Sequence, residues 1–164
     1  MKTLVIYGST TGTTEEVAQK IAEKLNAEAV NVADVTEDQI AEADNLVLGS
    51  STWGAGELQD DWYDGIDKLK SADLKGKTIA IFGVGDSASY SDTFCGSMAG
   101  LYNAVKDSGA KIVGAVSTDG YTFDDSESVV NGKFVGLALD EENESDKTDE
   151  RIDNWVKAIS PELK

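Results

Sequence analysis

Histidine is absent from this chain of 164 residues, and cysteine and proline occur once each. Without histidine, neither Ser–His nor Cys–His nucleophilic catalysis nor a histidine-ligated zinc site can be built. The single cysteine, Cys95, excludes an internal disulfide bond and any metal cluster held by several thiolates. Apolar runs such as 78–82 are far shorter than the ~20 residues that a helix needs to cross a bilayer. These absences exclude many hydrolytic, structural-metal and membrane-spanning functions.

Basic residues are also scarce, with 14 Lys and Arg against 31 Asp and Glu, a formal net charge of −17. Such an acidic surface repels nucleic acid and anionic membranes, and it attracts basic patches on other proteins. Salt screens the interaction of exposed charges over about 8 Å, so only clustered acids can steer a partner protein. Isolated acids would contribute to solubility alone. The first residues have the pattern of a strand and not of a signal peptide. We therefore expect a cytoplasmic monomer that binds neither nucleic acid nor membranes.

Short apolar runs alternate with helical patterns along the chain. The runs at 3–7, 28–32, 44–50, 77–83 and 111–116 predict strands, with a possible split continuation at 133–139. Continuous apolar strands are typical of parallel sheets covered on both faces. The pattern predicts one α/β domain over 1–164, a doubly wound five-stranded parallel sheet in the order 2-1-3-4-5. A polar stretch at about 118–132 is expected to be an insertion that interrupts strand 5.

The first predicted strand is followed by a loop of hydroxyl residues, Ser9-Thr10-Thr11-Gly12-Thr13-Thr14. A strand-to-helix junction offers free backbone N–H groups and the positive end of a helix dipole, which together bind anions. The absence of Lys and Arg between Lys2 and Lys20 excludes a P-loop. A threonine-rich helix cap is the alternative, but six small polar residues exceed what one cap requires. We interpret this loop as a neutral cradle for a terminal phosphate.

Aromatic residues occur in two further loops at the same predicted edge of the sheet. Trp53 lies in a glycine-rich tract after strand 3, and Tyr90 lies among small residues after strand 4. In doubly wound sheets, ligands bind beyond the carboxyl ends of the strands, where strands 1 and 3 diverge. Taken alone, Trp53 could be a core residue and Tyr90 a structural one. Together the three loops suit a flat aromatic ligand that ends in a phosphate, and flavin mononucleotide (FMN) fits this description.

These loops resemble those of the long-chain flavodoxin family, and the resemblance covers essentially the whole chain. Residues 9–14 are similar to the family signature T/S-x-T-G-x-T, 52–62 resemble its second flavin loop, and Gly85-Asp86 with Tyr90 resemble its third. Residues 117–121 and 131–140 resemble the strand-5 insertion and its return. The resemblance implies a flavodoxin-like three-layer αβα fold. It also implies a low-potential one-electron carrier, not an enzyme, that holds FMN tightly but non-covalently and cycles it through semiquinone and hydroquinone states.

The resemblance assigns a role to each loop. Residues 9–14 would hold the phosphate, Trp53 would pack on the inner face of the flavin ring, and Tyr90 would stack on its outer face. Backbone groups near residues 86, 93 and 95 would bind the pyrimidine edge. No catalytic residue and no metal ligand is expected. The expected cofactor-binding residues are Ser9, Thr10, Thr11, Gly12, Thr13, Thr14, Ser51, Thr52, Trp53, Gly54, Ala55, Gly56, Gly85, Asp86, Tyr90, Thr93, Phe94 and Cys95.

The composition of this site favours a low reduction potential. Electron-rich aromatic walls, a phosphate held without Lys or Arg, and the acidic protein all disfavour the anionic, fully reduced flavin. We also expect the Gly54–Ala55 peptide to flip, so that the Gly54 carbonyl accepts the N5 proton of the semiquinone. Glycine tolerates this change at little cost, whereas a residue with a Cβ would pay roughly 1 kcal/mol.

Five acids occur within eleven residues in and beside the second loop: Glu57, Asp60, Asp61, Asp64 and Asp67. They form either a solvated helix face or a docking surface for basic redox proteins, such as a flavodoxin or ferredoxin reductase or an oxidoreductase that accepts low-potential electrons. Two other functions stay open, an FMN-dependent quinone or nitro-compound reductase and a flavin-free binding domain. The lack of His and Lys in the three loops favours the electron carrier over the reductase.

Overall fold

The computed structural model describes residues 2–8, 12–53, 57–58, 60–88 and 90–163, without the side chains at positions 53 and 57. Ten strands and five helices lie within these ranges, and two short 3-10 turns, Ser145–Lys147 and Ser160–Glu162, flank the last helix. In chain order the elements are β1 (Thr3–Gly8), α1 (Thr13–Leu25), β2 (Glu28–Asn31), α2 (Glu37–Glu42), β3 (Asn45–Trp53), β4 (Glu57–Leu58), α3 (Asp61–Ser71), β5 (Thr78–Val84), α4 (Ser97–Val105), β6 (Lys111–Val113), β7 (Val116–Ser117), β8 (Val129–Val130), β9 (Lys133–Phe134), β10 (Leu137–Leu139) and α5 (Thr148–Ile159).

The central sheet has β1 between β2 and β3, with β5 on the far side of β3, and all of these pairs are parallel. Both β6 and β10 then pair in parallel with β5, β6 along its first three residues and β10 along its last three. The predicted order 2-1-3-4-5 is therefore confirmed, with the fifth position shared by two short pieces. Short β4 adds an antiparallel pair at the end of β3.

The fifth strand ends earlier than the sequence predicted. The expected strand at 111–116 stops at Val113, because Gly114 turns the chain at φ +89°. The indole of Trp155 donates a 2.9 Å hydrogen bond to the Gly114 carbonyl. A Cβ at Gly114 would lie 2.7 Å from the indole nitrogen, so this close turn requires glycine.

The segment between β6 and β10 forms a second, smaller sheet. It is antiparallel, in the order β7-β9-β8. Consequently 116, the last position of the predicted strand, belongs to this small sheet. The predicted continuation at 133–139 also divides, because its first two residues join the small sheet and its last three return to the central one. The stretch at 118–132 lies between β7 and β9 and contains β8.

Alternate residues of the central strands supply two separate apolar cores. One contains Leu46, Leu48 and Ile81 and packs against α3 and α4. The other contains Val47 and Phe82 and packs against α1 and α5. Helices thus cover both faces, which explains why the strands are apolar without alternation. Among the described residues, no helix is long and apolar enough to cross a membrane.

Candidate functional site

The carboxyl ends of three central strands lie side by side. Gly8 of β1 pairs with Ser50 of β3, and Ser50 pairs with Gly83 of β5. The loops that follow these strands therefore leave from one edge of the sheet, as the sequence predicted. Six expected site residues lie outside the described part of the chain: Ser9, Thr10, Thr11, Gly54, Ala55 and Gly56. The ring of Trp53 and the predicted flip of the Gly54–Ala55 peptide also lie outside it.

At the first loop, the chain enters α1 through Gly12, which has φ +92°. Thr13 is half-buried, and Thr14 is 1% exposed. The Thr14 Oγ1 atom is buried and makes no hydrogen bond within the described residues. A buried hydroxyl without a partner costs the protein about 1–3 kcal/mol of stability. An acceptor bound next to the Thr14 hydroxyl would remove this cost. Thr14 thus fits the neutral phosphate cradle that the sequence predicted.

The side chains around this helix start are neutral or acidic. Glu15 and Glu16 occupy the first turn of α1, and the Tyr7 hydroxyl donates a 3.0 Å hydrogen bond to Glu15 Oε1. Burial, and secondarily this bond to Glu15, raises the pKa of Tyr7 to about 12. Tyr7 therefore stays uncharged at neutral pH.

At the second loop, hydroxyl groups join the end of β3 to the start of α4. The Thr52 and Ser97 hydroxyl oxygens lie 2.7 Å apart, and the Ser97 hydroxyl donates a 3.3 Å bond to the Ser50 carbonyl. Ser50 is itself buried, and its hydroxyl donates to the carbonyl of half-buried Ser51. The antiparallel pairing of Trp53 with Glu57 then fixes the backbone on either side of 54–56. Hydrogen bonds and strand pairing thus hold the backbone at Ser51, Thr52 and Trp53.

The third loop begins with Gly85, whose N–H donates a 2.9 Å bond to the Leu139 carbonyl of β10. The Asp86 Oδ1 atom accepts from the Ala88 N–H at 3.1 Å and from Asn143 Nδ2 at 2.8 Å. The Tyr90 N–H donates to the Asp86 carbonyl at 2.9 Å. The side chain of Tyr90 is 50% exposed, which leaves its ring accessible to a ligand.

The last three expected residues face in different directions. Thr93 is half-buried. Phe94 is fully buried, and its ring packs against Tyr121, Phe123 and Phe134, the first two from the segment that follows β7. Cys95 is fully buried, with its Sγ atom 3.7 Å from the Gly83 carbonyl oxygen. Burial raises the pKa of the Cys95 thiol, so the thiol stays neutral.

Close approach of Gly85 and Cys95 positions the two ends of this loop. Cys95 has φ +50°, and a Cβ on Gly85 would lie 2.8 Å from the Cys95 backbone nitrogen. In this conformation the Phe94 ring and the Cys95 thiol lie in the interior. What this stretch can offer to a ligand at the sheet edge is its backbone and the Thr93 side chain.

A feature that the sequence reasoning missed is a brace across the third loop. The N–H groups of Asp124 and Asp125 donate to the Ser91 carbonyl at 2.9 and 3.0 Å, and the Phe94 N–H donates to the Asp125 carbonyl at 3.3 Å. The hydroxyl of Ser126 donates to the Phe94 carbonyl. The polar run at 124–126 is visible in the sequence, but its composition resembles a solvent-exposed loop, so no pattern indicated these internal bonds.

The acidic cluster lies on an exposed face at the start of α3. Asp60, Asp64 and Asp67 are exposed and share this face with Tyr63, which is 54% exposed. Asp61 is half-buried. The opposite face of the helix is buried through Trp62, whose indole donates a 2.7 Å bond to the Gly49 carbonyl.

Comparisons of the sequence and of the fold with known proteins all match flavodoxins. A sequence profile described as flavodoxin matches residues 5–155. The chain is 43% identical to Flavodoxin 1 of Azotobacter vinelandii, with 97% of this chain and 95% of the relative covered. It is 42% identical to a flavodoxin of Nostoc sp., with the same coverage. A crystal structure of Fusobacterium nucleatum flavodoxin bound to flavin mononucleotide superposes with a TM-score of 0.93 at 36% identity, covering 100% of both chains.

Proposed function

Since this chain belongs to the flavodoxin family and is an electron-transfer protein, we propose that it carries single electrons at low potential on a non-covalently bound FMN. The cofactor would lie beyond the carboxyl ends of β1, β3 and β5. A flavodoxin with the same fold is described as bound to FMN. The observation that carries the proposal in this chain is the buried Thr14 hydroxyl at the start of α1, which has no hydrogen-bond partner among the residues that the structure describes.

The start of α1 would hold the phosphate. The Thr14 hydroxyl would donate to a phosphate oxygen, together with Thr13 and the hydroxyl residues 9–11 that lie outside the described part of the chain. The backbone N–H groups at the helix start would add to these, and the helix dipole favours an anion there. Gly12, at φ +92°, lets the chain turn tightly into the helix.

The second and third loops would hold the flavin ring. We assign its outer face to the half-exposed ring of Tyr90 and its inner face to Trp53. Backbone groups of Gly85, Asp86, Thr93 and Cys95 would bind the pyrimidine edge, with Phe94 holding this stretch from the interior. Ser51, Thr52 and residues 54–56 complete the second loop, and the Gly54 carbonyl is the proposed acceptor for a proton on flavin N5.

When bound, FMN supplies a ring that accepts and releases electrons one at a time. The protein residues would keep the potential low. Glu15 and Glu16 stand at the phosphate end, the aromatic walls are electron-rich, and the net charge is −17. Each disfavours additional negative charge on the ring, because like charges in a partly dry site repel.

Visible spectroscopy during stepwise reduction tests this function. Apoprotein is mixed with FMN and titrated with dithionite. We expect one FMN per chain and a stable one-electron stage before full reduction. Failure to bind FMN would overturn the proposal. Steady oxidation of NAD(P)H with a quinone as acceptor would instead indicate a reductase.

For its partners, we propose that the exposed acidic face of α3 docks basic surfaces of redox proteins, such as a flavodoxin or ferredoxin reductase. Clustered charge near the site mainly accelerates encounter. Asp60, Asp64 and Asp67 provide this charge close to the second loop. The exposed ring of Tyr63 lies among them and offers an aromatic surface to a basic side chain.

Charge reversal tests the docking face. The double variant Asp60→Lys, Asp64→Lys should weaken the salt dependence of electron transfer from a reductase. Glu28→Lys combined with Asp107→Lys makes the same change in net charge at the opposite end of the sheet and should retain most of the dependence. Equal effects of the two double variants would show that net charge, and not this face, steers encounter.

A further inference from the structure

A cleft of about 310 Å³ lies between α5 and the segment that follows β6. Its apolar walls include Val116, Tyr121, Leu137 and Trp155. None of its lining residues belongs to the three loops assigned to FMN. The volume is at the lower end for a small-molecule pocket, which suits a compound of one or two rings.

Arg151, the only arginine of the chain, lines this cleft. Its guanidinium carbon lies 4.0 Å from the centre of the Tyr121 ring. The Nη2 atom donates to the Gly120 carbonyl and to Glu144 Oε1, each at 3.1 Å. The Nη1 atom is buried and makes no hydrogen bond among the described residues. A buried donor without an acceptor is costly, so a ligand acceptor that reached Nη1 from the cleft would be stabilised there.

The charges around the cleft favour a neutral ligand. The positive charge of Arg151 is already paired with Glu144, and Asp119 adds a carboxylate to the lining. An anionic ligand would be repelled by Asp119 and by a protein of net charge −17, and a cationic group would offer no acceptor to the Arg151 donor. The cleft therefore suits an uncharged, largely apolar ligand that carries a hydrogen-bond acceptor.

From these observations we propose that the cleft is a second small-molecule site, for flat, uncharged aromatic compounds that carry a carbonyl oxygen. The ring would lie against Trp155 and Leu137. The carbonyl oxygen would accept a hydrogen bond from Arg151 Nη1, after a small displacement of the ligand-facing side chains. The site goes beyond the proposed electron-carrier function and does not depend on it.

Benzamide is a suitable probe, because benzoate matches its shape but is charged, and toluene lacks the carbonyl. Each is titrated into FMN-loaded protein while the indole N–H resonances are followed by NMR. We expect benzamide to shift the Trp155 signal in a saturable manner and to leave that of Trp62 unchanged, since Trp62 lies on the other side of the sheet. Benzoate and toluene should bind at least several-fold more weakly. Tighter binding of benzoate, or no Trp155 shift up to the solubility limit, would overturn the proposal.

Two variants locate the site. Arg151→Lys keeps the charge but loses the guanidinium fork. The affinity for benzamide should fall about tenfold, and the affinity for toluene should change little. Because Arg151 also holds Gly120, a second variant leaves it intact. Ala158→Phe fills the cleft from an exposed position of α5 and should abolish benzamide binding. Lys157→Phe places the same ring on the helix outside the cleft and should bind benzamide normally. Persistence of the Trp155 shift in Ala158→Phe would contradict the assignment.

Discussion

The hydroxyl of Ser128 donates a 2.6 Å hydrogen bond to the carbonyl oxygen of Cys95. The same hydroxyl accepts from the Ala99 N–H at 3.0 Å. Ser128 is fully buried, and the pair joins the segment between β7 and β8 to the stretch that leads from the third loop into α4. The segment between β7 and β8 therefore supports the stretch to which we assign the flavin ring.

Replacing Ser128 with alanine should weaken cofactor binding from a distance. The substitution removes one partner each from the Cys95 carbonyl and the Ala99 N–H, which keep their backbone bonds to Met98 and Gly96, so the free energy of unfolding of the apoprotein should fall by about 1 kcal/mol. The affinity for FMN should fall severalfold, and that for riboflavin by the same factor, because the affected loop holds the ring. Flavin fluorescence quenching measures both. Ser117→Ala, at an exposed site in β7, is the control. Unchanged riboflavin affinity in Ser128→Ala would contradict this coupling.

Thr14→Val should separate phosphate binding from stability. Because the Thr14 hydroxyl has no partner among the described residues, its removal should leave apoprotein stability unchanged or slightly higher. The affinity for FMN should fall about tenfold, equivalent to 1.4 kcal/mol. Riboflavin, which lacks the phosphate, should bind as before. Thr78→Val, a buried threonine at the far end of the sheet, should not change the ratio of the two affinities. Equal losses for both ligands would show that Thr14 does not act on the phosphate.

The order of the central strands was predictable, because continuous apolar runs separated by helical periods permit few arrangements. The residue at which the fifth strand divides was harder to predict. Apart from Gly114, residues 111–116 are compatible with a strand. The position at which the strand ends depends on Trp155, a residue about 40 positions away that packs against Gly114. Local pattern carries no information about such a contact.

The sites of individual side chains were predictable only in part. Glycine and hydroxyl residues at the ends of strands indicated which loops meet, and the structure places their described ends together. The same pattern could not show that the Phe94 ring turns inward, because that depends on three aromatic residues from a distant segment. Similarly, Ser126 and Ser128 have the composition of a surface loop but are buried.

Gly85→Ala should displace the third loop. The new Cβ would lie 2.8 Å from the Cys95 nitrogen and 3.2 Å from the Phe94 ring, neither of which can yield easily. We expect the free energy of unfolding to fall by about 1–3 kcal/mol and the affinities for FMN and riboflavin to fall together. Urea unfolding and flavin titration measure these effects. Gly100→Ala in α4 meets only the flexible Leu58 side chain, at 3.0 Å, and should retain flavin affinity. A Gly85→Ala protein with native affinity would show that the loop adapts.

Glu144 should make stability dependent on pH in the acid range. Its hydrogen bond from Lys147, and then the one from Arg151, hold the pKa of Glu144 below its ordinary value of 4.5. A lowered pKa in the folded state means that stability is present above 4.5 and is lost as pH falls through the folded value. Glu144→Gln should lower the free energy of unfolding at pH 7 by about 1 kcal/mol and flatten its decline below pH 4.5. Urea midpoints from pH 7 to pH 3 measure this, with the exposed Glu142→Gln as control. If stability falls with pH equally in Glu144→Gln and in the unaltered protein, Glu144 does not contribute to the pH dependence.

The divided fifth strand also affects how the molecule meets its own copies. An exposed sheet edge can template the addition of a strand from another chain, and long, uncharged edges are the most dangerous. Here one edge is the four-residue β2, which begins with exposed Glu28, and the other is formed by two three-residue pieces, the first beginning with exposed Lys111. The division between β6 and β10 therefore leaves no long continuous edge beside β5 in the described part of the chain, which protects the sheet against aggregation even when no flavin is bound.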